Sequence, residues 1–383
     1  MAQDLVIYIC NSFFPFGSAY SSRTFHLCKA FQMSGYQTYV LADYSMSKEP
    51  SLCDEYVFDG IKYLIIGNTS KIYRYFKKTK TTINAINKIA SSKQYGRIFV
   101  IISTADVSLY KKLKKTNDSR IVVVLESCEW FDKSSYVFRN LDPRYLTFQY
   151  AMKNYYIDGK NKIIAISEYL HDYFVRHRCE CLRIPTIIDC SKIKIGDFKK
   201  GKTINFMFAG SLGGNKEVFK EFVRALINHK DKMVLHIYGG NSIDFKECLN
   251  DEKLYDKAKD CVIIHGRIPQ ELIYDEYQKA DFSIIFRPKR RSSNAGFPTK
   301  MAESLACGTP VIANDTGDIG KYIINGQNGF IVDYNKESID NLLQNISNNY
   351  DCKRLRLNAR KTAEQYFDYR IYSAELDIFL KGN

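Results

Sequence analysis

Ser292-Ser293-Asn294-Ala295-Gly296-Phe297-Pro298-Thr299-Lys300-Met301-Ala302-Glu303-Ser304-Leu305-Ala306-Cys307-Gly308-Thr309-Pro310-Val311-Ile312-Ala313 reads as one helix–turn–strand step. Pro298 suits a helix's first turn, Gly308 ends the helix, and Val311–Ala313 is a short apolar strand. Repeated along a chain, such steps build layered α/β domains with mainly parallel sheets. The N–H groups around Phe297–Lys300, at the start of this helix, would form a seat for a phosphate. Glu303 lies one turn inside the same helix, where a carboxylate can accept two hydroxyl hydrogen bonds, which suits a ribose. A capping glutamate is the plainer alternative, but Thr299 to Glu303 is one residue too long for a capping box.

The same rhythm runs outward on both sides. Before the motif come strands at Ile204–Ala209, Val234–Tyr238, Val262–His265 and Phe282–Phe286, with helices at Glu217–Asn228 and Pro269–Lys279. After it comes a short strand at Phe330–Val332, then helices to the end. The first half repeats the pattern, with strands at Leu5–Cys10, Tyr39–Ala42, Ile61–Ile66, Ile98–Ser103, Ile121–Leu125 and Ile163–Ile166, and a helix at Arg23–Met33 closed by Gly35. The alternation breaks near Pro185, and the polar stretch Ser191–Lys202 is the best linker. The expected division is 1–184 and 185–366, two Rossmann-like halves, with a C-terminal helix of about 367–383 packing back on the first.

Composition is that of a globular protein: 383 residues, 45% hydrophobic and 26% charged, too long for one ordinary core. No apolar run approaches the roughly 20 residues needed to span a bilayer. Met1-Ala2-Gln3-Asp4 has no positive n-region, so no secretory signal is expected. The eleven cysteines lack a C-x-x-C pair and read as reduced, buried thiols of a cytoplasmic protein. The six histidines show no metal spacing, and no D-x-D occurs, so no metal is expected.

The net charge of +14 is uneven. Between Asp59 and Asp118 thirteen cations face a single acid, Asp106. That window holds Lys77, Lys78, Lys111, Lys112 and Lys115, with Tyr73, Tyr75 and Phe76 interleaved. One-sided basic charge suits an anionic membrane surface or a nucleic acid, and a solvated basic surface is the bland reading. A nucleic-acid partner lacks support: there is no recognition helix, RNP-like strand or zinc module.

Two glycine loops follow first strands. Phe14-Pro15-Phe16-Gly17-Ser18 lets backbone approach an anion but lacks G-x-G-x-x-G, so a dinucleotide dehydrogenase is not expected. Phe208-Ala209-Gly210-Ser211-Leu212-Gly213-Gly214-Asn215-Lys216 is sharper, because a lysine at a helix start is best explained by an anion between them. It is not a Walker A loop. Downstream, Asp315-Thr316-Gly317-Asp318-Ile319 precedes Ile323-Ile324-Asn325-Gly326-Gln327-Asn328-Gly329-Phe330-Ile331-Val332. The run from Gly296 to Val332 resembles the C-terminal domain of retaining glycosyltransferases of the GT-B fold, glycosyltransferase family 4. Gly210 through Lys216 looks like that family's glycine–lysine diphosphate loop, and His265-Gly266-Arg267-Ile268-Pro269 and Ala280-Asp281 look like its later strand ends. Glu129-Trp130-Phe131 and Ile164-Ala165-Ile166-Ser167-Glu168-Tyr169-Leu170 are similar to members acting in bacterial surface-polysaccharide assembly.

Two departures stand out. Eight residues before Glu303, where the family carries a first glutamate, stands Ala295, with Asn294 and the Gly296 backbone as substitutes. Ser211 stands where an arginine follows the loop glycine, so Lys216 would carry more of the diphosphate charge, helped by Arg267, Arg287 or Lys300.

The resemblance implies an α/β GT-B fold, two Rossmann-like domains with parallel sheets facing a central cleft. It implies a metal-independent hexosyl transfer from a nucleotide-sugar to a hydroxyl of a glycan acceptor, lipid-linked, at the cytoplasmic membrane face, with no cofactor beyond the donor. The donor-binding set would be Gly17, Gly210, Ser211, Lys216, Arg267, Asn294, Gly296, Phe297, Pro298, Thr299, Lys300 and Glu303. Lys216 and Glu303 would activate the donor, and Glu129 would meet the acceptor or the sugar. The rival is a non-catalytic GT-B partner protein of a glycosylation complex, supported by Ala295 and Ser211.

Overall fold

A computed structural model describes residues 2–45, 55–67, 77–91, 94–133, 141–197, 201–212 and 217–382. The chain divides into two compact units, Met1–Ile188 with Tyr369–Asn383, and Asp189–Asp368.

The first unit is built on β1 (Gln3–Phe14), β2 (Gln37–Ser45), β3 (Glu55–Phe58), β4 (Ile61–Ile65), β5 (Tyr95–Ser103), β6 (Ile121–Ser127), β7 (Lys162–Ala165) and β8 (Glu180–Arg183). They form one sheet in the order β3-β4-β2-β1-β5-β6-β7-β8. Every pairing is parallel except β3 with β4. That pair is a hairpin whose two-residue turn, Asp59-Gly60, has φ of 45° and 76°, the positive values such turns require. Neither β3 nor β8 is expected from the sequence: both are edge strands of four residues. The long apolar runs Leu5–Cys10 and Ile98–Ile102 are wholly buried, as befits a sheet covered on both faces.

The helices of this unit are α1 (Ala19–Met33), α2 (Lys78–Ala90), α3 (Val107–Leu113), α4 (Pro143–Asn154) and α5 (Glu168–Arg176). α1 begins four residues earlier than expected because the Ser18 side chain accepts from Ser21 N, a helix cap. After the second unit the chain returns through a 3₁₀ turn at Tyr369–Tyr372 and a terminal helix, Ser373–Lys381. Leu376, Phe379 and Leu380 join the core around Leu27, Phe31 and Tyr36. Tyr36 Oη donates to Asp377 Oδ1 at 2.9 Å, and Ser34 Oγ to Ser373 O at 2.6 Å.

The second unit holds a six-stranded sheet of β9 (Ile204–Ala209), β10 (Met233–Tyr238), β11 (Val262–Gly266), β12 (Phe282–Ile285), β13 (Val311–Ala313) and β14 (Gly329–Ile331). The order is β11-β10-β9-β12-β13-β14, and all pairings are parallel. Its helices include α6 (Lys220–Leu226), α7 (Ser242–Leu249), α8 (Glu252–Ala258), α9 (Gln270–Lys279), α10 (Arg291–Ala295), α11 (Thr299–Ala306) and α12 (Ile319–Tyr322). The series closes with α13 (Lys336–Asn348) and α14 (Cys352–Tyr366). α6 is shorter than the expected Glu217–Asn228, because Val218 N is drawn to Phe286 O at 2.9 Å. Strand order reverses between β9 and β12, the place where open parallel sheets hold ligands beyond their carboxyl ends. Among the described residues no helix is long and apolar enough to cross a membrane.

Candidate functional site

The carboxyl ends of β9, β12 and β13 carry a connected set of polar groups. Gly210 follows β9 with φ of 153°, and its N–H donates to Tyr238 O at the end of β10, 2.8 Å away. Gly239, after β10, must be glycine, since a Cβ there would lie 2.5 Å from Gly210 O. Two strand ends thereby touch backbone to backbone. On the other side, Arg287 follows β12. Its N–H donates to Asn314 Oδ1 at 2.8 Å, and Asn314 Nδ2 returns a bond to Arg287 O at 2.8 Å. The Arg287 guanidinium donates to Ser293 O at 3.0 Å and Gly296 O at 3.2 Å. Arg287 Nη1 therefore ties down the 293–296 segment.

That segment leads into α11. Pro298 is the N-cap residue, one position before the helical turn it was expected to open. Gly296 N is committed to Ser292 O at 3.0 Å, and Pro298 has no N–H. The anion seat narrows to Phe297, Thr299 and Lys300. Asn294 Oδ1 accepts from Gly317 N at 3.2 Å, so Asn294 braces the neighbouring loop. Ala295 is fully buried.

Glu303 and Lys300 are the charged groups of this edge. No protein group donates to the Glu303 carboxylate among the described residues, and burial pushes its carboxyl up to about 7 against the partial pull of Lys300. Lys300 Nζ sits 4.1 Å from the centre of the Phe208 ring and 2.8 Å from Glu217 Oε1. It presses on the strand end so closely that a Cβ on Gly210 would lie 2.8 Å from it. Burial holds the ammonium below the usual lysine range, partly offset by Glu217. Gly210, Phe297, Pro298, Thr299, Lys300 and Glu303 thus share one edge, with Ser211 beside Gly210. Arg267 is exposed beyond β11, at the outer end of the same sheet, and Gly17 belongs to the first unit with φ of 114°. Lys216 lies outside the described residues.

The first unit has its own reversal, between β1 and β5. Arg23 Nε on α1 meets Glu126 Oε1 at the end of β6, 2.6 Å away, and Arg23 Nη1 donates to Pro185 O at 2.5 Å. Nearby, Lys78 Nζ donates to Asp43 Oδ2 at 2.7 Å and to Asn11 Oδ1 at 2.8 Å, while Asn11 Nδ2 reaches Asp106 Oδ2 at 2.5 Å. Lys78 is consequently an internal counterion and not a free surface cation. Lys77, Lys111, Lys112 and Lys115 are exposed, with Lys111 Nζ 4.5 Å from the Tyr155 ring centre. Glu129 is part-buried beside Trp130, which packs edge-on against Phe148, Tyr169 and Tyr173. Tyr73, Tyr75 and Phe76 lie outside the described residues.

Glu217, Arg23 and Glu126 are not picked out by sequence reasoning. An arginine amid a helix and a glutamate closing the apolar strand Ile-Val-Val-Val-Leu-Glu were the available signals for the last two. Glu217 had none beyond its place after Lys216.

Residues 192–365 match the family described as Glycosyl transferases group 1. An uncharacterized glycosyltransferase of Methanocaldococcus jannaschii is 29% identical over 173 residues, covering 40% of this chain. The match spans 48% of that relative, about half its length. Sucrose-phosphate synthase from Thermosynechococcus elongatus superposes with a TM-score of 0.73 at 14% identity, covering 99% of this chain and 98% of its own. Anabaena HepE, solved in complex with UDP and glucose, gives a TM-score of 0.67 at 14% identity, covering 99% of each chain. The two sheets and these neighbours establish an α/β GT-B fold.

Proposed function

We propose that the chain is a retaining glycosyltransferase that moves a hexosyl group from a nucleotide-sugar to a hydroxyl of a lipid-linked glycan, in cell-surface polysaccharide biosynthesis. One observation carries the reading: an undonated, part-buried carboxylate, Glu303, and a part-buried lysine, Lys300, stand three residues apart on α11, with the lysine against the end of β9 at the strand reversal of the second unit. The group 1 match over this unit and the UDP-and-glucose complex of HepE support it.

Glu303 would accept from both ribose hydroxyls. Lys300, Lys216 and the N–H groups of Phe297, Thr299 and Lys300 would face the diphosphate. Their charge counts most as the sugar–phosphate bond breaks, because negative charge then grows on the leaving oxygen. The acceptor hydroxyl attacks the same face of the sugar and its proton passes to the departing phosphate, so no side-chain nucleophile is needed. Glu129, in the first unit, would contact the acceptor. No step calls for a metal or other cofactor. Incubation with a panel of nucleotide-sugars in excess EDTA should show one donor consumed at an undiminished rate. Consumption of none would favour the non-catalytic partner protein, and loss of turnover on chelation alone would overturn metal independence.

The membrane part of the proposal rests on α3 and α4, which pack together in the first unit. α3 ends in the exposed Lys111 and Lys112, with Lys115 just beyond. On and beside α4 Leu141, Leu146 and Tyr150 are 81%, 52% and 55% exposed. Each lysine near an anionic leaflet contributes about 1 kcal/mol, and exposed apolar side chains can enter the interface. The protein should float with anionic vesicles, ignore neutral ones, and release at high salt. Glu at positions 77, 111, 112 and 115 together should abolish flotation and spare donor affinity. Wild-type indifference to anionic vesicles at low salt would remove the membrane assignment.

A further inference from the structure

The Lys300 ammonium at the end of β9 is already paired with one of the protein's own carboxylates. Glu217 Oε1 lies 2.8 Å from Lys300 Nζ, and the two side chains are only 13% and 16% exposed. Phe208 closes one side of the ammonium at 4.1 Å, and the Gly210 backbone closes another. Among the described residues Glu217 is the only carboxylate in an ion pair with Lys300. Glu217 is also the second half of an unusual arrangement: it stands in the loop between β9 and α6, held there by the Val218 N to Phe286 O bond, 2.9 Å, that pins the following residue to the end of β12.

We propose that Glu217 is a built-in stand-in for the donor's diphosphate, which keeps Lys300 neutralised in the empty enzyme and is displaced when a nucleoside diphosphate group arrives. The inference rests on the reading of Lys300 as a diphosphate ligand. A buried ammonium without an anion is strongly disfavoured, so the empty site needs Glu217. A diphosphate brings more negative charge to the same ammonium, and two anions cannot share it without repulsion. Glu217, on a loop outside regular structure, is the group that can leave. Every donor-binding event therefore starts with the loss of an internal ion pair. The site is selective: a ligand must carry enough negative charge to win the exchange, so a nucleoside or a single weak anion does not open it. The same exchange helps product leave, because Glu217 re-forms its bond as the nucleoside diphosphate departs.

The experiment is calorimetric titration of the full chain with UDP, GDP, ADP and dTDP, followed by the tightest of these against variants. Glu217→Gln keeps the shape and removes the competing charge. It should tighten nucleoside diphosphate binding about tenfold, leave binding of the corresponding nucleoside unchanged, and lower the melting temperature of the ligand-free protein. Lys300→Gln should weaken diphosphate binding, and in that background Glu217→Gln should bring no further gain. Unchanged or weaker diphosphate binding in Glu217→Gln overturns the stand-in role, as does an equal gain with the bare nucleoside. If none of the four nucleoside diphosphates binds wild type or either variant, the donor-site reading itself falls.

Discussion

Glu303→Ala should weaken nucleotide-sugar binding by at least about tenfold, with the second unit still folded. Each hydrogen bond from a ribose hydroxyl to an ionised carboxylate is worth about 1.5–3 kcal/mol, and tenfold is about 1.4 kcal/mol, so loss of both bonds can exceed a hundredfold. Ionisation adds a pH signature. Burial raises the carboxyl from 4.5 to about 7, so near neutrality the empty site is partly protonated, while the ribose needs the ionised form. Donor affinity should rise between pH 6 and pH 8, with release of a proton, and this slope should vanish in Glu303→Gln. An intact nucleotide-sugar is the right probe because its diphosphate diester does not titrate in that interval. Stability runs the other way. A raised carboxyl pKa contributes stability that is lost as pH rises through about 7. Glu303→Gln should thus melt above wild type at pH 8, the gap closing as the pH falls toward 5. Unaltered donor affinity in Glu303→Ala would sink the ribose assignment.

The largest stability effect is expected in the first unit. Arg23 and Glu126 are almost wholly enclosed, with side chains 3% and 0% exposed. Glu126 Oε2, Arg23 Nη2 and the Tyr8 hydroxyl find no hydrogen-bond partner among the described residues. Removal of one member of such a pair strands the other charge and costs about 3–5 kcal/mol, which for a domain of this size lowers its melting temperature by about 10 °C. Arg23→Met should show that loss in urea or heat unfolding. Arg23→Met with Glu126→Leu should recover most of it, because no charge is then left in the core. A single variant within about 1 kcal/mol of wild type, the usual range for a surface substitution, would show that water reaches the pair.

The second unit was the easier to read from sequence. Its strands β9 and β10 run straight into glycine, as in Phe208-Ala209-Gly210, and Gly308 and Pro310 bracket the turn before β13. Glu303 and Lys300 were legible for the same reason: they sit three residues apart on one helix with a recognisable start. What escaped is what depends on distance along the chain. Glu217 and Lys300 are 83 residues apart, and Arg23 and Glu126 are 103 apart. Only the folded sheet orders bring each pair together. Lys78 misled for a related reason, since Asp43, which takes up its charge, belongs to β2, 35 residues away. Edge strands β3 and β8 escaped because four residues each are too short to show a period.

The returning segment Tyr369–Lys381 has a consequence for how the polypeptide is made. Because Leu376, Phe379 and Leu380 belong to the core begun by β1 and α1, the first unit cannot complete its interior until those side chains leave the ribosome. The second unit, continuous from Asp189 to Asp368, emerges whole before then. Synthesis order and folding order are therefore inverted: the part begun first is finished last. A chain truncated after residue 368 would hold a complete second unit and a first unit still missing its closing helix.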